Sequence, residues 1–166
     1  MNPVLLPLPL GERNDEPSLP LGEGGGEGKR RTGSPIVLDT NIILDTFVFN
    51  DPAAEPVRQG LTDKALEWLA TQPMRDELER VLGYPKIVRK LKFYNLGAQE
   101  VLAKFDQNNR IVDVAPKASV TCSDADDQKF IDLAVQYRAL LLSKDKAVIS
   151  MKKRLLAQGI RAQAAM

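Results

Sequence analysis

Beyond residue 34, short apolar runs alternate with segments whose apolar residues recur at helical spacing. Ile36-Val37-Leu38 is a run that ends abruptly at Asp39-Thr40-Asn41. Those three are turn and N-cap types. An apolar stretch over 42–49 follows, and Asn50-Asp51-Pro52 stops it, which predicts strand, tight turn and helix. Residues 56–64 read as a helix. Trp68-Leu69-Ala70 fits a helix or a short buried strand equally, because a three-residue run has no period to measure. Gln72-Pro73 opens a helix with proline near its first position. Leu78, Val81 and Leu82 form its apolar face, and Gly83 and Pro85 end it.

Ile87, Leu91 and the stretch 98–105 predict two more helices, and 111–114, closed by Pro116, a strand. Asp124 to Asp127 leads into a helix carrying Phe130, Ile131, Ala134 and Val135 at helical spacing. Residues 139–142 are a buried-strand run. A last helix covers about 148–157 up to Gly159, and 160–164 reads as a final edge strand. Strands alternating with helices predict an α/β fold: a mainly parallel central sheet of about five strands, flanked by helices in three layers.

Residues 1–34 break this pattern. They hold 7 of the 11 glycines and 5 of the 11 prolines and no aromatic residue, and the string LPLGE occurs twice. Such a stretch buries too little apolar surface to offset its ordering entropy. It reads as a disordered tail, with three alternatives for its role: none, a docking or basic RNA-binding arm ending in Lys29-Arg30-Arg31, or non-coding repeat translated ahead of the true start. The domain proper is then 35–166.

Composition narrows the chemistry. The chain has no histidine, which removes His-based triads, HExxH zinc sites and His-dependent RNA cleavage. Its single cysteine, Cys122, removes an internal disulfide and any cysteine-built metal site. A bound metal would have oxygen ligands, which points to Mg²⁺ or Mn²⁺. The net charge of +1 predicts no particular partner. No apolar run approaches a membrane span. The early leucines are too proline-broken for an export signal, so the expected compartment is the cytoplasm.

Four acids stand out by position. Open parallel sheets bind ligands beyond the carboxyl ends of their strands. Asp39 follows the first strand, Glu77 opens the helix after the second, Asp127 starts the helix after the third, and Asp145 lies just past the fourth. Gathered on one edge, four carboxylates repel unless a divalent cation joins them. Such a cation activates water and stabilises charge on a phosphodiester. Each acid also has an ordinary reading: Asp39 and Asp127 as N-caps, Glu77 as a solvated charge, Asp145 as a loop residue.

At this level of detail the sequence resembles PIN domains, the fold of VapC-type toxin ribonucleases. Residues 36–41 resemble that family's opening strand and acid, and 74–82 its Glu-bearing helix. Residues 122–130 and 141–145 resemble the third and fourth motifs of a bacterial branch of toxin components. The resemblance implies that Asp39, Glu77, Asp127 and Asp145 are the catalytic, metal-binding acids, with Asp124 auxiliary and Asn41 and Ser143 supporting. It prefers Asp127 to Asp126 because Asp127 lies three before Phe130 and seven before Ala134. Ala147 stands where members often carry a further acid. The resemblance also implies Mg²⁺- or Mn²⁺-dependent RNA hydrolysis, an antitoxin partner and homodimerisation. A catalytically degenerate RNA- or protein-binding module is the alternative. A haloacid-dehalogenase-type phosphatase needs a second Asp where this chain has Asn41.

Candidate RNA contacts are cations near these motifs. Lys86, Arg89, Lys90 and Lys92 lie in an acid-free stretch beside Phe93 and Tyr94, which suits backbone contact with base stacking. The other reading is a solvated helix face with Phe93 in the core. Lys144 and Lys146 flank the fourth acid.

Overall fold

The apolar runs become the strands of one sheet. A computed structural model describes residues 33–166; the readings made for 1–32 lie outside the described residues. β1 (Ser34–Leu38), β2 (Leu66–Ala70), β3 (Asn109–Ile111), β4 (Leu140–Leu142) and β5 (Ala162–Gln163) lie in the order β3-β2-β1-β4-β5. All four pairings are parallel. At the centre, Ile36 is in register with Trp68 on one side and Leu140 on the other.

Successive residues of a strand point to opposite faces. Ile36, Val37 and Leu38 are nevertheless all buried, as are Trp68, Leu69 and Ala70. Both faces of the sheet are therefore covered, the three-layer arrangement that continuous apolar strands demand. The helices are α1 (Thr40–Phe47), α2 (Glu55–Thr62), α3 (Gln72–Leu82), α4 (Pro85–Phe93), α5 (Ala98–Asn108), α6 (Gln128–Tyr137), α7 (Lys146–Ile149) and α8 (Lys152–Leu156). Among the described residues, no helix is long and apolar enough to cross a membrane.

The open choice at Trp68 resolves as strand. The indole is 1% exposed, stacked on Phe47 at 5.8 Å between ring centroids and edge-on to Phe105 at 5.0 Å. We expect Trp68→Ala to destabilise the fold by about 3–5 kcal/mol, the usual cost of a large core truncation. Urea unfolding measures it, and a loss below ~1 kcal/mol would mean that this aromatic cluster is not central.

Two elements differ from expectation. The third strand is Asn109–Ile111, not 111–114, and Val114 is 64% exposed. β2 ends at Ala70, whose carbonyl accepts from the Val112 amide at 2.8 Å, and α3 begins two residues later. Beyond Val112 the edge strand has no ladder partner among the described residues. The last helix is two, α7 and α8, broken at Ser150 and Met151. There the Ser150 hydroxyl donates to the Ala147 carbonyl at 2.9 Å, competing with the helical ladder.

Candidate active site

The parallel topology brings the carboxyl ends of β1, β2 and β4 to one edge, and the acids follow. Asp39 directly succeeds β1. Its carbonyl accepts from the Ile42 and Ile43 amides, while its carboxylate makes no bond capping α1. Asp127 ends the 3₁₀ turn Ala125–Asp127 ahead of α6, again with no side-chain capping bond. The capping explanation fails for both. Asp145 does cap α7, its Oδ1 accepting from the Ala147 amide at 2.9 Å.

One carboxylate oxygen from each of Asp39, Asp127 and Asp145 lies within 4.8 Å of the other two. Ser143 ties the ends of β1 and β4 together: it is fully buried, its Oγ donates to Asp39 Oδ2, and it accepts from the Asp145 amide at 3.0 Å. Burial raises the Asp39 pKa above the ordinary range; the Ser143 bond opposes this and the charges of Asp145 and Glu77 add to it. Asp127 is pushed up to about 7, first by burial, then by Asp39, Asp145 and Asp124. Its Oδ2 is buried with no hydrogen-bond partner among the described residues.

Glu77, on the second turn of α3, lines the same cleft of about 300 Å³ as the three aspartates, together with Asn41, Tyr84 and Lys86. Its carboxylate is otherwise engaged. Thr40 Oγ1 donates to Oε2, and Lys129 Nζ lies 2.6 Å from Oε1. Asp124 stands outside the group of three; it is exposed and its Oδ1 accepts from the Asp126 amide at 2.9 Å. A larger hollow of about 470 Å³ between α1, α2 and α5 is lined by Arg58 and Lys104 and, among the described residues, by no carboxylate, so size alone does not mark the reactive cleft.

The cleft suits a hard divalent cation. Its donors are all oxygens, one from each of three aspartates converge, and Asp127 carries a buried oxygen with no partner among the described residues, a state that costs free energy. Thr40, Asp45 and Lys129 were not singled out in the sequence. A lone Asp45 inside the apolar 42–49 stretch was the available signal. It is 8% exposed and paired with Lys144 at 2.5 Å, so that cation already has an acidic partner. Lys86, Arg89, Lys90 and Lys146 are exposed. Phe93 is 80% exposed and packs edge-on to Tyr94 at 5.0 Å; Leu91 is the α4 residue that enters the core instead.

The PIN domain family model matches residues 35–147, a span that includes all four acids. The chain belongs to the PIN-domain family. PIN domains are generally nucleases and typically use divalent metals. This PIN domain chain is 26% identical over 121 residues to an uncharacterized protein of Methanocaldococcus jannaschii, covering 70% of this chain and 74% of that one. It also shares its fold with a chain of the crystal structure of VapBC2 from Rickettsia felis bound to a DNA fragment from their promoter. That likeness has a TM-score of 0.54 at 14% identity and covers 77% of this chain and 98% of that one.

Proposed function

We propose that this PIN domain is a divalent-cation-dependent endoribonuclease and the toxin of a toxin–antitoxin pair, working in the cytoplasm on an RNA phosphodiester. The observation that carries the reading is the convergence of Asp39, Asp127 and Asp145, with a buried Asp127 oxygen that has no partner among the described residues. The fold likeness to a VapBC2 chain supports an antitoxin partner, and a homodimer belongs to the same proposal.

Asp39, Asp127 and Asp145 would hold Mg²⁺ or Mn²⁺. When bound, the cation neutralises charge at the scissile phosphate and makes water acidic enough to attack near neutral pH. The protein's own groups do the rest. Ser143 fixes Asp39 by donating to it, and Thr40 and Lys129 hold Glu77 at the cleft wall. Asp127 must give up its proton before the three acids can act together. With no histidine in the chain, deprotonation of the attacking water would rely on the cation or on a carboxylate.

RNA approaches along α4. Lys86 lines the cleft, and Arg89, Lys90 and Phe93 follow it at helical spacings of three, four and seven, so they form one stripe. Tyr84 and Asn41 stand at the cleft beside them.

The test incubates the full chain with a mixed pool of structured and unstructured RNAs plus Mn²⁺ or Mg²⁺. Cleavage abolished by chelation supports the reading, and no cleavage of any RNA at millimolar metal sinks it in favour of a binding module. Replacing Lys86, Arg89 and Lys90 by Gln should raise KM by roughly tenfold or more and lower its salt dependence, with kcat little changed. An unchanged KM would remove α4 from the RNA path.

A further inference from the structure

Against Glu77, which lines the cleft, lies a positive charge that belongs to the protein itself. Lys129 is the second residue of α6, two positions beyond Asp127. Helix side chains lean toward the N-terminus. The ammonium therefore reaches back over the turn that presents Asp127, where it donates to the Asp126 carbonyl at 2.5 Å and meets Glu77 Oε1 at 2.6 Å. It also lies 4.9 Å from the centre of the Phe130 ring.

We propose that the Lys129 ammonium occupies the place of a second cation. The cleft then takes one divalent ion, on Asp39, Asp127 and Asp145, while Glu77 serves to position Lys129. This deepens the cation-dependent reading above and rests on it.

Two contrasts carry the inference. Glu77 has both oxygens engaged, one by an ammonium and one by the Thr40 hydroxyl, whereas Asp127 Oδ2 is buried with no partner among the described residues. A cation binding at Asp127 Oδ2 displaces no ion pair. A cation binding at Glu77 must first displace a charge-assisted pair. The second contrast is geometric. The three aspartate oxygens lie within 4.8 Å of one another, and Glu77 is outside that set although it lines the same cleft. Partial burial reinforces the pairing: the Lys129 and Glu77 side chains are only 24% and 17% exposed, so water screens their attraction weakly. An ion placed against Glu77 would also face the Lys129 charge at close range.

The measurement is Mn²⁺ binding to the full chain by titration calorimetry, with stoichiometry as the readout and thermal melts to verify folding. Wild type should take one Mn²⁺. Lys129→Met frees Glu77 and should add a second, weaker site, which Lys129→Met combined with Glu77→Gln should remove. Glu77→Gln alone should leave the first site's affinity nearly unchanged. Two ions on the wild type, no second site in folded Lys129→Met, or a loss of about tenfold or more at the first site in Glu77→Gln would each overturn the proposal. The Glu77→Gln arm decides the matter even if Lys129→Met does not fold. A wild type that binds no Mn²⁺ at millimolar concentration would overturn the cation reading itself, an outcome distinct from a wild type that binds two.

Discussion

Asp39→Asn should reduce cation-dependent RNA cleavage by roughly 10³-fold or more, equivalent to about 4 kcal/mol of lost transition-state stabilisation. The residue sits where β1 ends, 4% exposed, with Ser143 donating to its Oδ2. Asparagine preserves shape and can still accept from Ser143 through its carbonyl oxygen, so the junction of β1 with β4 stays closed. What the substitution removes is a charge in the set of three that would hold the cation. Removing it also relieves repulsion from Asp145 and Glu77, the two charges that help raise the Asp39 pKa. The variant should therefore melt no lower than wild type without metal while its cleavage is lost. Cleavage at the wild-type rate would refute the assignment; lost cleavage with a collapsed melting temperature would show that Asp39 matters to the fold.

Asp127→Asn should make the metal-free protein more stable above pH 7 and abolish its stabilisation by Mn²⁺. The sign follows from linkage. Asp127 has a pKa near 3.8 when unfolded and about 7 when folded. Between those values the folded chain holds a proton that the unfolded chain has released. Stability from this group is thus fully present below the lower value and is lost as pH rises through the upper one. The rise from 3.8 to about 7 corresponds to at most ~4 kcal/mol, shared with the neighbouring carboxylates. Asp39 is shifted in the same direction and adds to the effect. The exposed Arg75–Asp106 pair pulls the Asp106 pKa down and acts only at lower pH. A divalent cation competes with the Asp127 proton, so Mn²⁺ should raise the melting temperature strongly at pH 8 and little at pH 5. Melts of both proteins from pH 5 to 8, with and without Mn²⁺, measure this. A wild-type minus variant difference that does not become more negative as pH rises would contradict the buried, proton-holding Asp127.

The order of elements was legible because it rests on local physics. Runs such as Ile36-Val37-Leu38 are apolar on consecutive residues, as a strand buried on both faces is, and Asp39-Thr40-Asn41 interrupts this one with turn chemistry. Crossover connections between parallel strands then put Asp39, Glu77 and Asp145 on one sheet edge, so their shared cleft was readable from chain order alone. Local signals were weakest where strands pair at an edge. Nothing within residues 109–114 says that β2 stops at Ala70 and leaves Val114 in solvent.

What the sequence determined by itself was the inventory and the placement: the α/β alternation, the absence of histidine, and an acid at each junction. Which of those acids face one another was decided only by the tertiary structure. Asp39 and Asp145 are 106 positions apart and meet because β1 and β4 are neighbours joined through Ser143, a non-local pairing invisible to any window of sequence. The same holds for Glu77 and Lys129, 52 positions apart, whose pairing needs α3 and the start of α6 to reach one cleft. Charge signs and spacings are local properties. Which charge is neutralised and which is left waiting is a property of packing, because it depends on who is within about 3 Å once the sheet has closed.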